Sequence, residues 1–152
     1  MTKGDLAYEN FLKGYNCTQA VTAAFAEELG LDEETAARLS GGFGGGMGRL
    51  REVCGTFSGI VMVLSALYGY SEPKDLTGKK ELYAKIQALA EQFRKDNGSI
   101  VCRELLGLEK AEGVPEPEAR TPEYYQKRPC PELCRYAGNL LEQFIRDNPP
   151  EK

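Results

Sequence analysis

The chain has 152 residues, 41% of them hydrophobic and 28% charged, and this length and composition predict one folded domain over residues 1–152 rather than a disordered or collagen-like chain. Its net charge of −4 and isoelectric point near 5.1 argue against nucleic acid as a partner, because domains that bind the phosphate backbone usually carry a basic face. Histidine is absent, which excludes imidazole as a general base, as the partner of a nucleophile and as a metal ligand.

Three helices are predicted in the first forty residues. Residues 5–13 carry a short helical pattern, and a second helix follows Asn16, whose side chain can form a capping box with Gln19. This helix ends at Gly30, and an acidic stretch from Asp32 begins the third, because negative side chains suit the positive end of a helix dipole. The first residues are acidic where a signal peptide would be apolar, so we expect a cytoplasmic protein.

Residues 41–48 contain six glycines in eight positions. Their spacing fits neither a dinucleotide-binding fingerprint nor a P-loop, so no nucleotide is expected. A flexible linker is the alternative, but Phe43 and Met47 are poor residues for a solvated hinge. We predict a folded loop whose backbone N–H groups point toward sulfur or another anion. Three glycines of this loop are predicted to contact a cofactor bound at the site: Gly44, Gly45 and Gly46.

Residues 54–69 form an almost uniformly apolar stretch and predict the central helix of a bundle. The surrounding segment, residues 53–70, just reaches the length at which a helix can span a membrane. It contains three glycines and several hydroxyl side chains, so a buried helix is the better interpretation. Gly55 and Gly59 lie on one face of it, where they would let another helix approach closely.

The next helix is predicted from about residue 79 to residue 96. Its apolar stripe recurs at helical spacing and consists of Leu82, Ile86, Leu89 and Phe93. After a stop at Asn97 and Gly98, Ser99 can cap a short helix that contains Cys102 and closes at Gly107.

Residues 108–129 hold four prolines and many charges without a sustained period, which predicts a long loop of the kind that often covers a site. The last helix begins at Cys130, with Pro131 in the favoured first turn. No convincing alternating strand is present. The predicted fold class is therefore all-α, a single-domain bundle of about five to seven helices around the central apolar helix and the glycine-rich loop.

Four of the five cysteines are predicted to lie in the first turns of separate helices. There, free N–H groups and the helix dipole favour a thiolate, which is both the nucleophile of disulfide exchange and a ligand for soft metals. The fifth, Cys134, lies one turn after Cys130 and is predicted to pack within the last helix. No Cys-x-x-Cys occurs, so neither a zinc ribbon nor a thioredoxin-like motif is present. The four are Cys17, Cys54, Cys102 and Cys130.

Two further interpretations of these cysteines stay open at the level of the residues. Free cysteines are often simple core residues, which would make this a helical interaction domain. Alternatively, Arg49 and Arg51 precede Cys54 closely and would stabilise its thiolate if they fold back toward it, which would make Cys54 a low-pKa nucleophile.

The cysteine pattern resembles that of the C_GCAxxG_C_C family, small proteins to which a redox role is assigned. The similar elements are "YNCTQAV", "GGFGGGMGR", "CGTFSG", "CRELLG" and the cysteine that opens the last helix. Thr56 stands where the family element usually has Ala, and Cys134 is additional to the family's four. The resemblance implies a redox role for the four cysteines, and an iron–sulfur cluster in at least some members.

The predicted function is that of a redox-active, electron-transfer protein in which the four cysteines converge on an iron–sulfur cluster, because all the soft ligands available are thiolates. Zinc is the alternative metal, and Arg49 and Gly55 join the loop glycines as cofactor contacts. The alternative functions are a thiol–disulfide oxidoreductase with Cys54 as nucleophile, and a non-catalytic interaction domain. We expect a redox partner protein and no nucleic acid or membrane partner, and we include a homodimer as one assembly state.

Overall fold

Among residues 1–107 and 116–151, which the computed structural model describes, the regular structure is helical and no strand is formed. Six helices in these ranges have eight or more residues, in agreement with the predicted five to seven, and the all-α class is confirmed. In chain order the helices are α1 (Lys3–Leu12), α2 (Cys17–Ala24), α3 (Ala26–Leu29), α4 (Glu33–Ser40), α5 (Gly44–Met47), α6 (Gly55–Tyr68), α7 (Leu76–Asn97), α8 (Cys102–Leu105), α9 (Pro122–Lys127) and α10 (Cys130–Asp147).

The predicted capping signals place the start of α2. The side chain of Asn16 accepts a hydrogen bond from the backbone N–H of Gln19, and the side chain of Gln19 accepts one from the backbone N–H of Asn16. The predicted helix to Gly30 is interrupted, however, because Phe25 leaves the helical conformation with φ −111° and ψ 25°. Asp32 caps α4 as predicted, through a 2.7 Å hydrogen bond from the N–H of Thr35.

Helices α2 and α6 pack closely because two glycines of α6 face α2. A Cβ atom at Gly55 would lie 2.6 Å from Oγ1 of Thr18, and one at Gly59 would lie 2.9 Å from Cβ of Val21. These distances are shorter than any normal van der Waals contact, so the predicted role of the two glycines in close helix approach is confirmed. The consequence is that Cys17, which begins α2, lies beside the start of α6.

An isolated β-bridge joins the segment that precedes α6 to the segment that precedes α8. Val53 and Val101 form an isolated antiparallel bridge. The N–H of Cys54 donates to the carbonyl oxygen of Ile100 at 2.7 Å. The N-cap residue of α8 is Val101 and not the predicted Ser99. The hydroxyl of Ser99 instead accepts a hydrogen bond from the N–H of Val101, in the turn that precedes the helix.

Two predicted boundaries in the second half of the chain are corrected. Helix α7 begins at Leu76, earlier than predicted, because the side chain of Asp75 accepts from the N–H of Gly78 and caps a new first turn. Within the predicted loop 108–129, the segment Pro122–Lys127 is helical and is capped by Thr121. Residues 108–115 of that loop lie outside the described residues.

The core lies where α6 meets α2, α7 and α10, and α1 packs across α10 and α2. Ile60, Val63 and Leu64 of α6 are fully buried in it, as expected for a central bundle helix. Within the described part of the chain, no helix combines the length and the apolar character that crossing a membrane requires.

Candidate functional site

The structure brings the four predicted cysteines to the wall of one small internal cavity. Each reaches it from a different helix start: three are the first residues of α2, α8 and α10, and the fourth directly precedes α6. Gly55 lines the same cavity. The cavity has a volume of about 10 Å³, which is about the space that one water molecule needs. The cysteines that line it are Cys17, Cys54, Cys102 and Cys130.

Cys17 and Cys130 are neighbours at the wall of this cavity. The neighbouring Cys130 thiol, followed by burial, raises the pKa of Cys17 well above its ordinary value. Both residues are half-buried, whereas Cys54 and Cys102 are buried. The two half-buried thiols therefore form a neighbouring pair in which Cys17 keeps its proton.

The glycine loop contributes a backbone donor to this pair. The backbone N–H of Gly45 lowers the pKa of Cys17, against the larger effects of Cys130 and burial. The side-chain amide of Asn16 donates to the carbonyl oxygen of Gly41 at 2.9 Å and ties the loop to the cap of α2. Of the three glycines predicted to contact a cofactor, Gly44 and Gly45 line the open pocket described below, and Gly46 does not.

Gly46 instead fixes the path of the loop. Its φ is +73°, and a Cβ atom there would lie 2.6 Å from Cα of Arg51. Gly45 also has a positive φ, of +67°, which is the left-handed conformation that glycine adopts without strain. The loop therefore directs the N–H of Gly45 at the sulfur of Cys17, while the backbone at Gly46 passes close against the segment that precedes Cys54.

Cys54 does not have the low pKa predicted for a nucleophile. Burial raises its pKa to about 12, and the neighbouring Cys17 adds to the rise. Only 4% of its surface is exposed, and at this depth the cost of removing a thiolate from water outweighs the benefit of the helix start. Its sulfur lies 3.1 Å from Oγ1 of Thr56.

The two arginines predicted to fold toward Cys54 lie elsewhere. Nη1 of Arg51 donates to the sulfur of Cys102 at 3.6 Å, and Nη2 of Arg49 lies 3.9 Å from a carboxylate oxygen of Glu118. Burial raises the pKa of Cys102, and the Arg51 guanidinium partly offsets this rise. The N–H of Cys102 donates to the carbonyl oxygen of Glu52 at 2.5 Å. This hydrogen bond, beside the Val53–Val101 bridge, holds Cys102 close to Arg51.

An open pocket of about 390 Å³ borders three of the four cysteines, Cys17, Cys102 and Cys130, while Cys54 lies behind it. One wall is the glycine loop, and the other comes from the segment that the sequence predicted only as a covering loop. The residues of this second wall are not predictable from sequence periodicity, because their charges follow no pattern and their contacts are long-range. They include Pro117, Glu118, Arg120, Tyr124 and Arg128.

Arg120 holds the second wall in place. Its guanidinium donates to the carbonyl oxygens of Phe11, Gly14 and Tyr15, and it stacks 3.8 Å from the centre of the Phe11 ring. Three backbone acceptors at the end of α1 are thereby satisfied by one side chain. The arrangement fixes the position of the segment that precedes α9 against the mouth of the pocket.

The sequence model of a family described as "Putative redox-active protein (C_GCAxxG_C_C)" matches residues 15–144. The chain belongs to this family. The match spans most of the chain, includes all five cysteines and both walls of the pocket, and supports the redox role that the family description gives. No curated protein and no solved structure is significantly similar to the chain.

Cys134, the cysteine that is additional to the four of the C_GCAxxG_C_C pattern, lies in the core. It is fully buried, and its sulfur lies 4.0 Å from the carbonyl oxygen of Cys17. Burial raises its pKa well above the ordinary value. This agrees with the predicted packing role, although the residue packs against the backbone of a site cysteine rather than only within its own helix.

The C_GCAxxG_C_C cysteines do not form a metal site in the arrangement shown. Among residues 1–107 and 116–151, no three Cys, Asp or Glu side chains are close enough together to coordinate one ion. The cavity between the four thiols also has room for little more than one water molecule. Coordination of zinc or of an iron–sulfur cluster therefore requires these side chains to rearrange.

Proposed function

We propose that this protein is a dithiol–disulfide redox protein whose active couple is Cys17 and Cys130. The observation that carries the proposal is that these two half-buried thiols are neighbours which line both the small cavity and the open pocket. The family's redox role agrees with this chemistry. The nucleophile is then the half-buried Cys130 rather than the buried Cys54 that the sequence predicted.

Cys130 is the attacking sulfur in this proposal. It is the first residue of an 18-residue helix, where the helix dipole favours negative charge, and it lies beside Cys17. The Cys130 thiolate attacks a disulfide R–S–S–R, a bond forms between Cys130 and one sulfur, and RS⁻ leaves. Cys17 then loses its proton and attacks the sulfur of Cys130, and the second RS⁻ leaves.

The two steps balance as a two-electron exchange. Two thiols of the protein become one disulfide, R–S–S–R becomes two RSH, and the two thiol protons go to the two leaving groups. The N–H of Gly45 and the N-terminus of α2 stabilise the thiolate of Cys17 in the second step. A redox partner protein with a reactive dithiol would restore the reduced form by the reverse exchange.

Cysteine-to-serine variants test the assignment. Reduced protein is treated with hydroxyethyl disulfide, which is neutral, then quenched with acid and analysed by mass spectrometry. The wild type should lose two thiols without retaining an adduct, whereas C17S should retain one mixed disulfide on Cys130, because the resolving thiol is gone. C130S should lose the fast reaction. The control C134A should react as the wild type does, and a first adduct on Cys54 or Cys102 would contradict the assignment.

A second candidate function is the binding of an iron–sulfur cluster or zinc by the four cysteines, and the observation that favours it is their shared cavity. It requires the thiols to rearrange, because no three Cys, Asp or Glu side chains of the described residues are placed to coordinate one ion and the cavity holds about 10 Å³. Anaerobic purification followed by analysis of iron, zinc and acid-labile sulfide distinguishes the two candidates. Stoichiometric metal that is lost in C17S, C54S, C102S and C130S alike would favour the metal centre over the dithiol couple.

A further inference from the structure

We infer that the open pocket beside Cys17 and Cys130 binds a small disulfide whose halves carry carboxylates, and that Arg49 and Arg128 recognise a carboxylate of it. This inference rests on the proposed dithiol function and specifies its substrate class. A volume of about 390 Å³ lies in the range of pockets that take small organic molecules. The two half-buried thiols lie at its wall, so a bound disulfide would meet the attacking sulfur.

The charge of the pocket wall opposes the charge of the whole chain. Among the described residues that line the pocket, four are arginines and one is a glutamate, although the chain carries a net charge of −4. Cationic side chains that converge on a cleft raise the local concentration of anions and steer them into it. The four arginines are Arg49, Arg51, Arg120 and Arg128.

Two of these arginines already bind a carboxylate, and that carboxylate belongs to the protein. Glu118 forms ion pairs with both Arg49 and Arg128, and its oxygen Oε1 is shared between them. The two arginine side chains are only 14% and 12% exposed, while that of Glu118 is 40% exposed. A carboxylate held by two largely buried guanidinium groups is bound more firmly than an exposed surface pair.

Glu118 therefore marks a carboxylate site at the pocket and also competes for it. A ligand carboxylate can take its position between Arg49 and Arg128 when the exposed Glu118 side chain turns into solvent. The rings of Phe11 and Tyr124, which also line the pocket, offer apolar surface to the carbon chain of such a ligand. Binding would then place the ligand's disulfide beside Cys130, which lines the same pocket.

Rates with disulfides of different charge test the inference. The probes are oxidised glutathione, which carries carboxylates, hydroxyethyl disulfide, which is neutral, and cystamine, which is cationic. The rate of Cys17–Cys130 disulfide formation is divided by the rate at which the same probe oxidises a free model thiol. This normalised rate should be highest for oxidised glutathione, should be lowest for cystamine, and should lose its dependence on probe charge at high salt.

Variants of the carboxylate site sharpen the test. R49Q and R128Q should each lower the ratio of the glutathione rate to the hydroxyethyl disulfide rate by about tenfold, the effect of losing one charge-assisted hydrogen bond. E118Q should raise that ratio, because it removes the competing charge, and a merely structural glutamate would not produce a rise. R38Q, which changes an exposed arginine of α4 outside the pocket, is the matched control.

The possible failures are distinguishable. If the three probes give equal normalised rates and E118Q changes nothing, the carboxylate site is wrong while the dithiol couple stands. If no probe forms the Cys17–Cys130 disulfide, the proposed function itself is wrong. E118Q keeps the test decisive even if an arginine variant folds poorly, because Glu118 is the exposed member of the site.

Discussion

Replacing Gly46 with alanine tests whether the glycine loop must follow the path that points Gly45 at Cys17. Gly46 has a φ of +73°, a left-handed conformation that costs a residue with a side chain about 1–2 kcal/mol. The new Cβ would also lie 2.6 Å from Cα of Arg51 and from the backbone nitrogen of Glu52. These are backbone atoms that cannot rotate away, and overpacking of this kind costs about 1–3 kcal/mol. G46A should therefore lower the free energy of unfolding by about 2–5 kcal/mol.

Gly42 provides a matched control within the same loop. It does not have a left-handed φ, and no atom lies within 4 Å of the position that its Cβ would take. G42A should be as stable as the wild type or more stable by about 0.4–1 kcal/mol, because alanine restricts the unfolded chain. Urea denaturation followed by circular dichroism gives both values. Equal stability of G46A and G42A would refute the claim that close contacts fix the loop.

Three other predictions concern buried thiols and the second wall of the pocket. The pKa of Cys54 is about 8.5 in the unfolded chain and about 12 in the folded protein. Between these two pH values the folded state binds more protons, so the free energy of unfolding should fall as the pH rises. C54A should show a shallower fall in urea denaturation measured across this pH range. C134S should be less stable than C134A by about 1–3 kcal/mol, because it places a hydroxyl in the core, and equal midpoints of thermal unfolding would contradict this. R120Q should speed proteolysis within residues 116–121, because it loses the guanidinium contacts to the end of α1, and an unchanged digestion pattern would show that other contacts hold the segment.

Local signals made most of the fold predictable. The capping box depends on Asn16 and Gln19, three residues apart, and the close helix approach depends on Gly55 and Gly59, four residues apart. The structure has both features. The break at Phe25 was missed because its side chain is fully buried, and tertiary packing overrides helical periodicity there. Helix α9 was missed because a six-residue helix in a proline-rich stretch offers no period to detect.

The candidate site was predictable in its members and not in its pairing. Cysteines at helix starts, together with the family pattern, singled out four residues, and the structure places these four around one cavity. Which two of them are neighbours depends on how α2 and α10 approach each other, and no sequence spacing contains that information. The same holds for Arg51, which the sequence assigned to Cys54 and the structure places on Cys102. The left-handed backbone at this arginine, φ +62°, is not predictable from the sequence pattern.

The disulfide map of the oxidised protein tests most directly whether Cys17 and Cys130 form the redox couple. Trypsin should release three of the cysteines in separate peptides, whereas Cys130 and Cys134 share one peptide, so the map is best made in C134A. After oxidation by hydroxyethyl disulfide and blocking of free thiols, mass spectrometry should find the Cys17 peptide linked to the Cys130 peptide, with Cys54 and Cys102 alkylated only after unfolding. A link that involves Cys54 or Cys102, or four free thiols after oxidation, would contradict the dithiol couple.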